Sequence, residues 1–274
     1  MEKGNKSTGA SGIRGWSKGR RVPLSLIATG LLLLGITGGY YLYSHIAHSQ
    51  LESLEYRIPD GDMEAPLLGN GETSAFTTLY PGSAVASLYW DNPRWSDVGY
   101  GVSNELPRGF TPVDPNGISR EAGGLTSPTR IKIPAIGIDS TVKALAVLTY
   151  GDAKGWETPK DVVGHIPTSA RPGEVGNGYL FGHMQSPIRG QGSVFRSLIN
   201  IPDLLREGQN VYVALYNEGE QAYIYQVSQT NVVEAGDFTM GATTDATITL
   251  VSCVPKYVYD HRLLVTAKLI GRQG

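Results

Sequence analysis

Cysteine is nearly missing from this chain: Cys253 is the only one in 274 residues. A lone thiol forbids an intramolecular disulfide and excludes the zinc motifs built from paired thiolates. Charge is sparse as well, at 18% of residues, and one interval has none: from Val22 to Leu51 there is no Asp, Glu, Lys or Arg. Phenylalanine is scarce, at 5 residues, whereas tyrosine reaches 15, glycine 35 and proline 16. Tyrosine suits strand surfaces that are wet on one side, and glycine and proline mark turns, so the composition leans towards a β-rich domain. With 41% apolar residues the chain can still build a core, and its length allows one or two domains.

The net charge of −2 hides an asymmetry. Residues 1–21 carry six basic side chains against Glu2, a net +5, which leaves −7 for the rest. A nucleic-acid binder needs its positive charge on the folded domain. A basic tail ahead of an acidic body argues for orientation across a membrane instead, and no nucleic-acid partner is expected.

Residues 1–21 are rich in Gly, Ser and Lys without hydrophobic periodicity and read as a basic cytoplasmic tail. The strongly apolar part of the uncharged interval, 22–44, is 23 residues long. As a helix rising ~1.5 Å per residue it spans the ~30 Å hydrocarbon layer. Tyr40, Tyr41 and Tyr43 fall where an interfacial aromatic belt belongs. A cleavable signal peptide has a shorter apolar core, ~7–15 residues, and a small-x-small site that His45-Ile46-Ala47 supplies poorly. We therefore expect a retained single-pass anchor. The Lys18, Arg20 and Arg21 cluster sets the N-terminus in the cytoplasm and the rest outside.

Residues 45–128 read as an extracellular linker, with little sustained periodicity and many Pro, Gly, Ser and Thr. Trp90 and Trp95 within it are expected to dock on the folded domain, or to lie over its active site as a lid. From Thr129 the pattern changes. Ile131, Ile133, Ile136 and Ile138 mark a strand broken at Pro134, and Thr141–Leu148 pairs back after the Gly137/Asp139 turn. The segment 178–183 is a short strand ending in a loop at His183; 194–199 has helical spacing, and 203–208 ends at Gly208 as a short helix does. Residues 210–216 and 221–229 flank a turn and predict a hairpin. Strands at 246–252 and 263–270 close the chain. Several short strands at this spacing favour an all-β barrel or sandwich over a doubly wound sheet.

Cys253 ends an apolar run rich in β-branched residues, and Arg262 opens the next one. The thiolate is the reactive form of cysteine, so a catalytic thiol needs a nearby histidine or cation. Of the five histidines, His45 and His48 lie beside the membrane segment. His183 leaves a buried-looking strand for a glycine-flanked loop, which sets its ring at a sheet rim. His165 has a similar Gly-His setting and stays open as an alternative. His261 precedes Arg262, so in a strand the two face opposite sides. Arg262 offers two parallel donors, suited to a carbonyl or an oxyanion; its bland reading is a surface salt bridge.

These residues resemble a family. Thr249-Leu250-Val251-Ser252-Cys253 is similar to the Thr-Leu-x-Thr-Cys motif of sortases, with Ser252 where threonine is usual. His261-Arg262-Leu263-Leu264-Val265 looks like the arginine strand that follows it, and Gly178–His183 looks like the sortase histidine region. The order His, Cys, Arg matches, and the resemblance covers 129 to about 271. It implies a closed eight-stranded β-barrel with short helices over 129–274, preceded by the anchor and linker, on the outer face of a bacterial plasma membrane. It implies a cysteine transpeptidase acting on secreted proteins with a C-terminal sorting signal such as Leu-Pro-x-Thr-Gly. The implied catalytic residues are His183, Cys253 and Arg262, and the implied acceptor is an amine on a cell-wall precursor or a pilin lysine.

No cofactor or metal is expected. Some family members use calcium, but no compact carboxylate cluster argues for it here. Two rival readings remain at this stage: an extracellular cysteine protease with water as acceptor, and a tethered β-barrel that binds without chemistry around an inert buried cysteine.

Overall fold

A computed structural model of the chain describes residues 21–59, 106–107, 109–113, 125–150, 153–157, 160–185, 192–219 and 221–273. The chain divides into two units, Met1–His48 and Ser49–Gly274. Trp90 and Trp95, and the basic tail 1–20, lie outside the described residues.

The first unit contributes a helix, Arg21–Ser49, of 29 residues. At ~1.5 Å per residue it is about 43 Å long. It runs beyond the apolar stretch 22–44, because nothing between Ser44 and Ser49 breaks a helix: neither Gly nor Pro occurs there. Leu24, Leu26, Leu32, Leu34 and Ile36 are all more than half exposed. A helix apolar on every side belongs in a protein interior or a membrane. It is the one helix among the described residues long and apolar enough to cross a bilayer.

The second unit is a barrel. Its strands are β1 (Tyr56–Arg57), β2 (Thr111–Pro112), β3 (Pro128–Ile133), β4 (Ile138–Ala144), β5 (Val147–Tyr150), β6 (Ala153–Trp156), β7 (Val163–His165), β8 (Gly176–Phe181), β9 (Tyr212–Asn217), β10 (Ala222–Glu234), β11 (Ala246–Val254) and β12 (His261–Gln273). Neighbours run β10-β9-β3-β4-β7-β8-β11-β12, and β12 pairs back onto β10, so eight strands close on themselves. Closure needs bends, and β10 supplies them with register shifts at Ile224/Tyr225 and Val227/Gln229. Two pairings are parallel, β4–β7 and β8–β11. β5 and β6 form a separate hairpin.

Local chemistry accounts for the turns. β3 stops at Pro134, which starts a short 3-10 turn, and Gly137 takes the left-handed conformation (φ 67°) that sends β4 back antiparallel. Between β9 and β10 the Asn217 side-chain oxygen accepts the Gly219 and Gln221 backbone N–H groups, each at 3.1 Å. Parts of the 45–128 stretch join the barrel: Tyr56–Arg57 pairs with β10, and Thr111–Pro112 with β12. Leu51 belongs to the core, and Leu54, Tyr56 and Ile58 pack against it.

Alternation divides β11 cleanly. Ile248, Leu250 and Val254 enter the large apolar cluster that fills the barrel, with Leu180 of β8 and Leu263 and Val265 of β12. Val251 instead joins a small cluster on the other face, with Leu145, Ile166 and Tyr179, against which Trp156, Phe181, Phe238 and Leu264 pack. The wall of the barrel thus carries an apolar patch on its outside, and β8, β11 and β12 lie side by side beneath it.

Candidate active site

Cys253 and Arg262 are direct Cα partners in the antiparallel β11–β12 ladder. Partners directly opposite share a face, with Cβ atoms ~4.5–5.5 Å apart. Cys253 follows Val251 in the alternation, so both residues stand on the outer face, at the end of the apolar patch. Cys253 is half-buried and in the free thiol form. The guanidinium is anchored to main chain: Nη1 donates to the Tyr259 and His261 carbonyls, each at 3.0 Å. Arg262 makes no ion pair among the described residues. Its Nε and Nη2 make no hydrogen bond to the described residues.

His183 arrives from the opposite side. β8 runs parallel to β11, with Leu250 opposite Leu180 and Val251 opposite Phe181. Beyond the strand Gly182 still donates its N–H to the Val251 carbonyl (3.2 Å). Extending the register two residues sets His183 level with Cys253. The motif hydroxyl contributes, since Ser252 Oγ donates to the Gly182 carbonyl at 3.1 Å. Serine does this as well as threonine. Gly182 is required by close approach, because a Cβ there would lie 2.5 Å from Phe195 Cδ2. The same segment returns to His183, with Phe195 N–H donating to its carbonyl at 2.9 Å. Thiol and guanidinium therefore come from adjacent strands, and the imidazole from the segment two residues past the strand on the other side, at one level by register.

The structure separates His165 from this group. His165 pairs with Leu180, whose side chain is inside the barrel, and it is 1% exposed. Its Nε2 donates to the Ala170 carbonyl at 3.1 Å. His261 pairs with Val254, on the face opposite to Arg262, and bonds Asp260 at 2.7 Å. The two similar Gly-His settings thus predict different losses. His183→Ala is expected to remove ~10²–10⁴ of turnover with little change in melting. His165→Ala is expected to cost ~1–3 kcal/mol of stability through its lost buried hydrogen bond and cavity. Parallel thermal melts and turnover assays check both, and an unaffected His183→Ala removes His183 from the site.

Burial governs the electrostatics. Desolvation holds the His183 ring below the ordinary histidine value, and the Asp161 carboxylate partly offsets this. His183 Nε2 is buried and makes no hydrogen bond to the described residues. Desolvation also lowers His165; the Ala170 bond works in the opposite direction. Both rings are favoured neutral in the folded state, so this contribution is complete above the unfolded value of 6.5 and stability falls as pH drops below it. Asp161 itself takes a left-handed conformation (φ 54°), and Gly192 packs so closely on it that a Cβ has no room. Asp161→Asn removes the carboxylate that favours imidazolium. The midpoint of the His183 ring titration, followed by NMR, is expected to move further down.

Residues 131–270 match the family of the sortase domain. That is just over half of the chain, and the protein belongs to the sortase family. Among solved structures it is similar to sortase C1 from Streptococcus agalactiae, at 25% identity over 56% of this chain and 70% of that one, with a TM-score of 0.39. A Clostridium perfringens sortase D5 transpeptidase matches at 25% identity over 53% and 79%, TM-score 0.39. Sortase A from Corynebacterium diphtheriae, in a lid mutant, matches at 25% over 54% and 73%, TM-score 0.37. No curated protein matches.

Proposed function

We propose that this sortase is a cell-surface cysteine transpeptidase that cleaves a C-terminal sorting signal of the Leu-Pro-x-Thr-Gly type through a thioacyl enzyme. The observation that carries the reading is the cross-strand pair of Cys253 and Arg262, with no carboxylate paired to the arginine among the described residues and His183 at the same register level. In this reaction His183 takes the Cys253 thiol proton, the resulting thiolate attacks the threonine carbonyl carbon, and the C–N bond to the following glycine breaks. His183 gives a proton to the leaving amine. The acceptor amine then attacks the thioester, His183 takes its proton, and the thiolate leaves. Arg262 Nε and Nη2 hold the carbonyl oxygen while it carries negative charge. The outer apolar patch of Phe181, Phe238 and Leu264, packed over Val251, receives the Leu-Pro part of the signal. None of these steps requires a metal.

The helix, uncharged from Val22 on, and the basic Lys18, Arg20 and Arg21 at its start support a tethered enzyme with a cytoplasmic N-terminus and an external barrel, meeting substrates during their secretion. The acceptor is an amine of a cell-wall precursor or a pilin lysine. Mass spectrometry with a Leu-Pro-x-Thr-Gly peptide and the full chain tests the chemistry. A thioester adduct on Cys253 is expected, and added triglycine should divert most product from acid to amide. Product that stays hydrolytic at every triglycine concentration identifies a protease instead.

A further inference from the structure

The connection between β11 and β12, residues 255–260, contains one residue whose backbone N–H, backbone carbonyl and side-chain hydroxyl go to three different places. Tyr259 has φ 62°, in the left-handed region. For a residue with a Cβ this conformation costs ~1–2 kcal/mol and persists only where surrounding bonds impose it. The bonds are present. Its N–H donates to the Pro255 carbonyl at 2.9 Å, closing the turn that begins two residues after Cys253. Its carbonyl accepts Arg262 Nη1 at 3.0 Å. Its hydroxyl donates to the Gln185 carbonyl at 2.8 Å, two residues beyond His183.

Along β8 the histidine arm is held at Gly182 by the Val251 carbonyl and the Ser252 hydroxyl, and at His183 by the Phe195 N–H. Past His183 the chain leaves the sheet, and the Tyr259 hydroxyl is the bond that ties that stretch to the arginine arm across Cys253. Among the described residues Arg262 in turn bonds main-chain acceptors, one of which is Tyr259. The left-handed twist matters because it lets one residue aim its carbonyl at Arg262 and its ring at the neighbouring loop.

We infer that Tyr259 is a positioning residue for the acyl transfer proposed above, setting His183 and Arg262 against Cys253 through its hydroxyl and its carbonyl. The inference rests on that proposed reaction for its consequence in rate, but its geometric content stands apart from it. A ring freed from its buried position regains water, which raises its titration midpoint towards the ordinary histidine value.

The test uses the full chain in detergent micelles, as wild type, Tyr259→Phe and Tyr259→Asn. Phenylalanine removes only the hydroxyl. Asparagine also lacks it but tolerates φ above zero, so it keeps the carbonyl aimed at Arg262. Both variants are expected to lose about tenfold in kcat for peptide cleavage, with KM changed less than about twofold, as misplaced catalytic groups do. The His183 resonance, assigned by its loss in His183→Ala, is expected to titrate at higher pH in both variants. Wild-type kcat together with an unmoved His183 titration overturns the inference. A loss of activity that tracks melting temperature with an unmoved titration also overturns it, since the tyrosine is then only structural. If the wild type forms no acyl enzyme with sorting peptides, the proposed reaction fails, and the titration alone still decides whether Tyr259 holds the histidine arm.

Discussion

Cys253→Ala is expected to abolish peptide cleavage, by roughly 10⁴-fold or more, and to leave no thioester adduct in the mass spectrum. The size of the effect follows from chemistry: alanine offers no group that can carry the acyl chain, and neither His183 nor Arg262 can substitute. The fold should be indifferent. Cys253 is half-buried, sits on the outer face and belongs to neither apolar cluster. Losing one sulfur there costs about 0.5 kcal/mol or less, as at ordinary surface sites. Thermal melting of the variant therefore coincides with wild type, and labelling by a thiol-directed sorting-signal analogue disappears. Retained turnover in this variant removes the covalent mechanism altogether.

Arg262→Lys is expected to lower kcat by ~10²–10³, close to the loss from Arg262→Ala, although the charge is kept. The reason lies in how the guanidinium is shared. Nη1 is committed to the Tyr259 and His261 carbonyls. Nε and Nη2 remain for the substrate oxygen. A lysine has a single nitrogen on a flexible stem and cannot be anchored by main chain and present a second donor pair together. Acylation kinetics with the same peptide read the loss. Cys253 alkylation by iodoacetamide, which needs no oxyanion donor, serves as the control and should change little. A lysine variant with wild-type kcat shows that charge alone suffices and removes the forked-donor role.

Much of this was legible along the chain, for local reasons. A charge-free apolar run of membrane length reads as a helix whatever follows it, and Arg21–Ser49 is one. The β9–β10 hairpin carries its own turn chemistry in Asn217. Pro134 breaks the isoleucine alternation where β3 ends. The segments 51–58 and 111–113 were not legible as barrel partners, because strands of two residues show no periodicity. Tyr259 gave no signal either: its left-handed backbone is held by tertiary bonds and is unfavourable for its residue type.

The candidate site divides along the same line. The nine-residue interval between Cys253 and Arg262 shows in the sequence, but their direct opposition depends on the register that pairs Val254 with His261. A slip of one residue would oppose the thiol to His261 or Leu263 and turn the arginine to the other face. His183 and His165 share a Gly-His setting, so residue type alone leaves both open as partners for Cys253. The parallel docking of β8 on β11 carries one to Cys253, and the inward phase of β7 buries the other. Residue type and spacing thus determined by themselves that this chain has a long apolar helix near its N-terminus, a β-rich domain and a lone thiol followed by an arginine. Only the tertiary structure decided which histidine lies level with that thiol and what holds the arginine, because those placements join strands far apart in sequence through hydrogen-bond register, which no local pattern encodes.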